Sequence, residues 1–343
     1  SEIPDRMRLR KGDILLCVRN GSRGLIGKSA IIDKRVVGES FGAFMAVVRT
    51  SGKEKFVYQL LQTSDFKRQV QRNLGATINQ ITNSDFSSFV FVVPPEEEQD
   101  KIATVLESWD QSIGSLEDLL IAKGRQKLGL MEHLLAGKLR FGTFKSESWR
   151  TVRIGSLLAE CDRYVNWSDD TAFRFASIRR RSGGLFDRGT FYGREVKTKV
   201  LKLLKAGDFV ISKRQVVHGA WAMVTKTFDG FGVSDEYDVL VNRDANVLDM
   251  RFFNYLSQTR RLWHMAYLAS NGVHIEKLIF NFDDFAKEKI KIPPTVEEQE
   301  KIADVLSACD REIELLQKQL EALKEQKRGL MQKLLTGEIR VKT

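Results

Sequence analysis

EQDKIATVLESWDQSI, read from Glu98, returns as EQEKIADVLSACDREI from Glu298. The register holds to the end of the stretch. GLMEHLLAGKLR from Gly129 is answered by GLMQKLLTGEIR from Gly329, again 200 positions on. About half of the positions between Glu98 and Arg140 are identical to their partners. A repeat this long is not a solenoid period; it marks two copies of one domain-sized unit and predicts a pseudo-two-fold axis. Such symmetry suits a bipartite target.

Within each copy the apolar residues alternate at spacings of four and three, the pattern of a coiled-coil seam. The first seam runs Ile102, Leu106, Trp109, Ile113, Leu116, Leu120, Leu130 and Leu134, broken at Lys123 and Lys127. The second runs Ile302, Leu306, Cys309, Ile313, Leu316, Leu320, Leu323, Leu330 and Leu334, broken at Lys327. The surrounding positions are charged. A narrow seam fits a helix partner better than a broad sheet, so the two helices are expected to pair with each other.

Upstream of each helix the copies share one order. RLRKGDILLCVR from Arg8 and LLKAGDFVISKR from Leu203 each place a Gly-Asp turn before a β-branched run that reads as a strand. Further strands are expected at Phe44–Arg49, Ala220–Thr225 and Tyr237–Val241. Helices are expected over Lys53–Leu74 and Asp249–Leu268, ending near Asn73/Gly75 and Asn271/Gly272. A last strand, Phe89–Val93 or Lys289–Ile292, stops at Pro94-Pro95 or Pro293-Pro294, where a globular part gives way to a helix. The second copy carries roughly fifty additional residues, about Trp149 to Leu204, for which the first has no counterpart. The expectation is that the first unit lacks an N-terminal segment.

The fold class that follows is α+β, with two α/β domains, each followed by a long helix. Its boundaries are 1–93, 94–140, 141–292 and 293–343. A net charge of +10 favours an anionic partner. Cys17, Cys161 and Cys309 are scattered, which argues for a reducing compartment and against a zinc site. No apolar run approaches the ~20 residues of a membrane span.

A variable domain, a Pro-Pro-x-x-E-Q-x-x-I-A-x-x-L helix, a second variable domain and the same helix again resemble the specificity subunit (HsdS) of type I restriction-modification systems. The likeness covers nearly the whole chain. It implies that each variable domain is a target-recognition domain for one half of a split site in double-stranded DNA. It also implies an antiparallel helix pair that docks two modification (HsdM) subunits, and restriction (HsdR) subunits alongside. S-adenosylmethionine would then belong to the methyltransferase partner, ATP and Mg to the restriction partner, and no cofactor to this chain. A cytoplasmic location in a bacterium or archaeon would follow. The short first domain departs from the pattern.

No catalytic constellation competes with this reading. GSRGLIGKS from Gly21 misses a phosphate-binding P-loop because Ser22 stands where glycine is required, and the following AIIDKRVV reads as strand. Trp263 and His264 read as packing residues of a helix. Basic and amide side chains on loops do fit DNA, since Arg and Lys neutralise phosphates and Arg, Gln and Asn read base edges. In the first copy these are Arg19, Asn20, Arg23 and Lys28, with Asn79 and Gln80. In the second they are Arg179, Arg180, Arg181, Lys213, Arg214, Gln215 and His218, with Asn271 and His274. Two other classes stay open: a coiled-coil scaffold that binds no DNA, and a recognition module of a fused restriction-methylation enzyme.

Overall fold

The computed structural model describes residues 4–74 and 79–341. The chain divides into two compact units, one of residues 1–122 with 314–343, the other of residues 123–313.

In the first unit β1 (Ile14–Cys17) lies between β2 (Ser29–Ile31) and β3 (Met45–Val48), antiparallel to both. Helices α1 (Glu54–Leu60), α2 (Ser64–Asn73) and α3 (Asn83–Ser87) follow, then α4 (Glu96–Leu134), which runs on into the second unit. The expected Gly-Asp turn is present. Gly12 takes the left-handed φ of +86° that glycine adopts without strain. Asp13, buried at its shoulder, accepts hydrogen bonds from the Arg10 amide and the Arg49 guanidinium. Behind the sheet, Phe66 meets Phe86 and Phe89 edge-on among Ile14, Leu16 and Val70.

The second unit begins with β4 (Arg150–Arg153), α5 (Ile154–Leu157) and β5 (Leu158–Glu160). The antiparallel ribbon of β6 (Ala172–Ile178) and β7 (Leu185–Tyr192) comes next. Then come β8 (Lys202–Leu203), β9 (Phe209–Ser212), β10 (Trp221–Met223), β11 (Gly232–Val233) and β12 (Tyr237–Asn242). These strands form two sheets, ordered β10-β9-β12-β5 and β7-β6-β11-β8. The remaining elements are α6 (Met250–Ser257), α7 (Arg260–Leu268), β13 (Ser270–Asn271), β14 (Ile279–Phe280), α8 (Phe282–Lys287), β15 (Lys289–Ile292) and α9 (Val296–Leu335). Here Gly207, with φ +93°, and buried Asp208 repeat the turn before β9, and Asp208 receives the Arg163 guanidinium.

Two expectations are corrected. The single helices expected over Lys53–Leu74 and Asp249–Leu268 are each two. Thr63 and Thr259 break them, accepting from the amides of Phe66 and Leu262 as N-caps while donating to the carbonyls of Leu60 and Leu256. Gly75, expected near the end of the first, lies outside the described residues. Phe89–Val93 is not a strand, whereas β15 is, because β15 pairs with β4. β4 belongs to the segment without a counterpart in the first copy. Val90 and Val92 are accordingly 76% and 61% exposed, against 1% and 0% for Ile290 and Ile292. The Gln69 side-chain amide bonds both the N–H and the C=O of Val90 in place of a neighbouring strand.

The helices pair antiparallel within each unit, the start of one against the end of the other. In the first unit Ile102 and Leu106 pack on Met331, Leu334 and Leu335, with Phe56 and Leu60 of α1 closing the cluster. In the second, Ile302 and Leu306 join Met131, Leu134 and Leu135, with Phe252 and Leu256 of α6. Each helix thus packs on its partner helix and on a globular domain together. Leu116 and Leu320 are also buried, while Trp109, Ile113, Leu120, Cys309, Ile313 and Leu316 are half-buried, as a two-helix layer allows.

The lysines that break the seams are ion-paired across it. Lys327 reaches Asp110 at 2.7 Å and Lys127 reaches Asp310 at 2.5 Å, an exchange of positions related by the repeat. Lys324 meets Glu117 and Lys123 meets Glu312. Each of the two aspartates also holds a domain helix: Gln59 of α1 donates to Asp110 and Tyr255 of α6 donates to Asp310. Burial, followed by the hydrogen bond to Asp310, pushes the Tyr255 phenol well above its ordinary range. At the ends, Arg340 clamps Glu98 and Arg140 clamps Glu298. Trp149 donates to Glu298 as well. Arg140 is 13% exposed and Arg340 63%.

Leu106→Ala and Leu306→Ala should each destabilise the protein by about 2–5 kcal/mol, the range for truncating a fully buried leucine. Chemical denaturation measures this, and an unchanged midpoint would mean that these residues face solvent. A second expectation concerns pH. The hydrogen bond from Arg340 holds the Glu98 carboxyl below the usual range. Its contribution is therefore complete above the unfolded-state pKa and is lost as pH falls through the lowered one. Arg340→Met should weaken the acid dependence of Tm relative to the unsubstituted chain; parallel curves would refute the clamp.

Candidate nucleic-acid interface

In the first unit the loop after β1 carries Arg19, Asn20, Arg23 and Lys28, and the structure brings Asn79 and Gln80 onto it. Arg19 forms a β-bridge with Gln80, and the Asn20 amide donates to the Asn79 carbonyl. The Asn79 side chain donates to the Gly21 carbonyl. Asn20 turns back to accept from the Ser22 amide, and Arg23 donates to the Leu74 carbonyl. The Arg19 guanidinium lies 5.6 Å from the ring of exposed Phe44. Lys28 is exposed at the end of the loop. A groove of about 610 Å³ opens beside Gln80, lined also by Phe41, Met45, Thr82 and Asn83. The GSRGLIGKS segment holds a short 3-10 turn, Arg23–Leu25, and leads into β2.

In the second unit the loop after β9 is the equivalent, and three separate stretches converge there. The β6–β7 turn docks on it: the Arg181 amide donates to the His218 carbonyl at 2.7 Å and the Ser182 amide to the Gly219 carbonyl at 2.8 Å. The β13–β14 hairpin flanks its other side, where the Phe280 amide donates to the Lys213 carbonyl. Asn271 and His274 are exposed on that hairpin. Trp263 of α7 packs under Gly219, where a Cβ would lie 2.7 Å from the indole. Trp263 is thus the packing residue expected, but His264 is not; it is exposed on the outer face of α7.

The cations of this face are not equally available. Lys213 lies 3.2 Å from Asp238, a carboxylate 4% exposed that burial pushes above its ordinary range while Lys213 pulls it down. Arg214 is paired with Glu236 at 2.5 Å, both on the surface. Arg179 lies over the Phe186 ring at 4.7 Å. Sequence reasoning missed the basic and aromatic alternation of the β6–β7 ribbon. Arg174 lies 4.0 Å from the Phe231 ring, Arg194 stacks on Tyr192, and Arg188 lines a groove of about 350 Å³ with Phe191 and Lys197. The signal was the run FRFASIRRRSGGLFDRGTFYGRE from Phe173.

Residues 5–122 and 147–325 match the family described as type I restriction modification DNA specificity domain. The chain belongs to this family. It is a DNA specificity subunit of a type I restriction-modification system, a non-catalytic subunit. Its relatives include the type I restriction enzyme MjaVIII specificity subunit of Methanocaldococcus jannaschii, 25% identical over 369 residues that cover 97% of this chain and 80% of the relative. A provisionally assigned MjaX specificity subunit of the same organism is 28% identical over 362 residues, covering 98% and 81%. Two solved structures share the fold. The type I restriction-modification S subunit from M. genitalium has a TM-score of 0.58 at 14% identity, over 96% of this chain and 84% of that one. A chain from a study of complex assembly and conformational transition of the type I system has a TM-score of 0.57 at 18% identity, over 98% and 85%. Among the described residues no helix is long and apolar enough to cross a membrane, and no group of three His, Cys, Asp or Glu is disposed to hold a metal ion.

Glu236→Gln releases the Arg214 guanidinium for a phosphate without touching the core. The expected outcome is tighter duplex binding with a salt slope steeper by about one unit. Titrations at several salt concentrations measure it, and an unchanged slope would place Arg214 away from DNA.

Proposed function

We propose that this specificity subunit reads a bipartite duplex site, one half with residues 1–93 and the other with residues 141–292. The observation that carries the reading is the repeated placement of loops. In both units the loop after the Gly-Asp strand meets a segment that follows the helix pair, Asn79-Gln80 in one and, through Phe280, the hairpin that carries Asn271 and His274 in the other. Both faces hold basic and amide side chains able to contact phosphates and base edges. The long helices, 94–140 and 293–343, dock two modification subunits that carry S-adenosylmethionine, and restriction subunits that use ATP and Mg join the assembly. The work takes place in the cytoplasm of a bacterium or archaeon.

The seam residues are spent in holding the helices together, with Ile102, Leu106, Ile302 and Leu306 at most 1% exposed. Docking therefore falls to apolar residues on the outer faces of α4 and α9: Leu119, Ile121, Leu128 and Leu315, exposed by 41–66%. Isolated exposed leucines are common on proteins, but four on two otherwise charged helices suit a protein partner.

Competition binding with each half-site scrambled in turn tests the division of labour. Replacing Arg19 and Asn20 by alanine should abolish discrimination at one half and leave the other intact, while substitutions in the 213–218 loop should do the reverse. Equal loss at both halves would refute independent readers. Binding without salt dependence would favour the scaffold reading instead.

A further inference from the structure

We propose that Arg181 is a base-reading residue of the second half-site, its guanidinium set to engage a guanine edge in the major groove. The inference rests on the reading of this face as a DNA-binding face and adds which cation on it carries sequence information. Three independent features of the β6–β7 turn support it.

The first is availability. Arg179 stacks on Phe186 and donates to the Leu185 carbonyl. Lys213 and Arg214 are held by Asp238 and Glu236, and Arg180 is engaged as well. Arg181 is exposed, and among the described residues its guanidinium has no hydrogen-bond, ion-pair or ring partner. An arginine so placed presents its whole donor fork, which matches the two acceptors of guanine, O6 and N7.

The second is conformation. Arg181 and Ser182 have φ of +56° and +53°, and among the described residues they are the non-glycine residues found in that region. Two glycines, Gly183 and Gly184, follow immediately. Glycine would take the left-handed shape without the steric cost that a side chain incurs. Placing an arginine there trades local stability for the direction in which its side chain leaves the turn. In the turn and in the loop it docks on, Ser182 Oγ and Gln215 Oε1 are buried without a hydrogen-bond partner among the described residues, a second local cost in this region.

The third is the seat. Backbone hydrogen bonds to His218 and Gly219 fix the turn, and Trp263 fills the space under Gly219. The arginine thus stands at the tip of a two-stranded ribbon, a shape the major groove admits, on a base that does not have to order on binding.

The test uses the full chain and a set of duplexes varied one base pair at a time across both half-sites. Arg181→Lys keeps the charge and loses the fork. The expected result is an unchanged salt slope with preference at one base pair of the second half-site reduced about 5- to 150-fold, the range for one bidentate contact. The first half-site should be unaffected. Arg181→Gly should lose the same preference while melting no lower than the unsubstituted chain, which separates readout from folding. The proposal is overturned if Arg181→Lys keeps every preference. It is equally overturned if Arg181→Gly weakens all duplexes uniformly and lowers the salt slope by about one, the signature of a phosphate contact. An unsubstituted chain that selects no sequence would overturn the DNA-binding reading and this assignment with it.

Discussion

A carboxylate in the first turn of each long helix meets a guanidinium just beyond the end of the other, and the remaining architecture is arranged around that constraint. Glu298 is fully buried and Glu98 nearly so. A buried carboxylate without a cation would be strongly destabilising, so each helix start requires the other helix's end. The clamp fixes direction, since a parallel pair would bring the two glutamates together. Between the clamps, the Asp110–Lys327 and Asp310–Lys127 pairs join half-buried lysines to aspartates that are 42% and 44% exposed, and they fix which positions of the two helices face each other. A slip of one turn would leave lysines against leucines.

The aspartates of those pairs also receive Gln59 and Tyr255 from the domain helices. One carboxylate thereby ties three elements: its own helix, the opposite helix and a globular domain. The apolar contacts repeat the arrangement, with α1 or α6 closing the cluster that the helix ends begin. A single domain helix, α1 in one unit and α6 in the other, therefore connects the globular domain to the helix pair.

Much of this was legible in the sequence because it rests on periodicity and turn chemistry. The four-three spacing, the Gly-Asp turns and the double prolines each have a local physical cause. What the sequence hid depended on partners far along the chain. Lys127 and Lys327 interrupt the pattern when a helix is read alone, and become paired only when the opposite aspartate is known. Phe89–Val93 has the composition of a strand, yet a strand needs a neighbour, and β4 serves β15 alone. Thr63 and Thr259 sit inside apolar patterns that continue past them, so the caps were invisible to periodicity. The clusters at 179–181 and 213–218 were found, but their convergence was not, since it is made by backbone hydrogen bonds between loops that no side-chain pattern records.

The two units differ in how the chain supplies them. Residues 123–313 are one uninterrupted stretch, whereas the other unit joins residues 1–122 to 314–343. On the ribosome the uninterrupted unit has all its parts as soon as the first half of α9 emerges. The other must hold Ile102, Leu106 and the Glu98 carboxylate uncovered until residues 314–343 are made. Chains fold domain by domain from the N-terminus as they are synthesised, and exposed apolar surface invites aggregation. The order of completion here is reversed: the unit whose residues 1–122 are made earlier closes later, when residues 331–341 arrive to cover Ile102, Leu106 and Glu98.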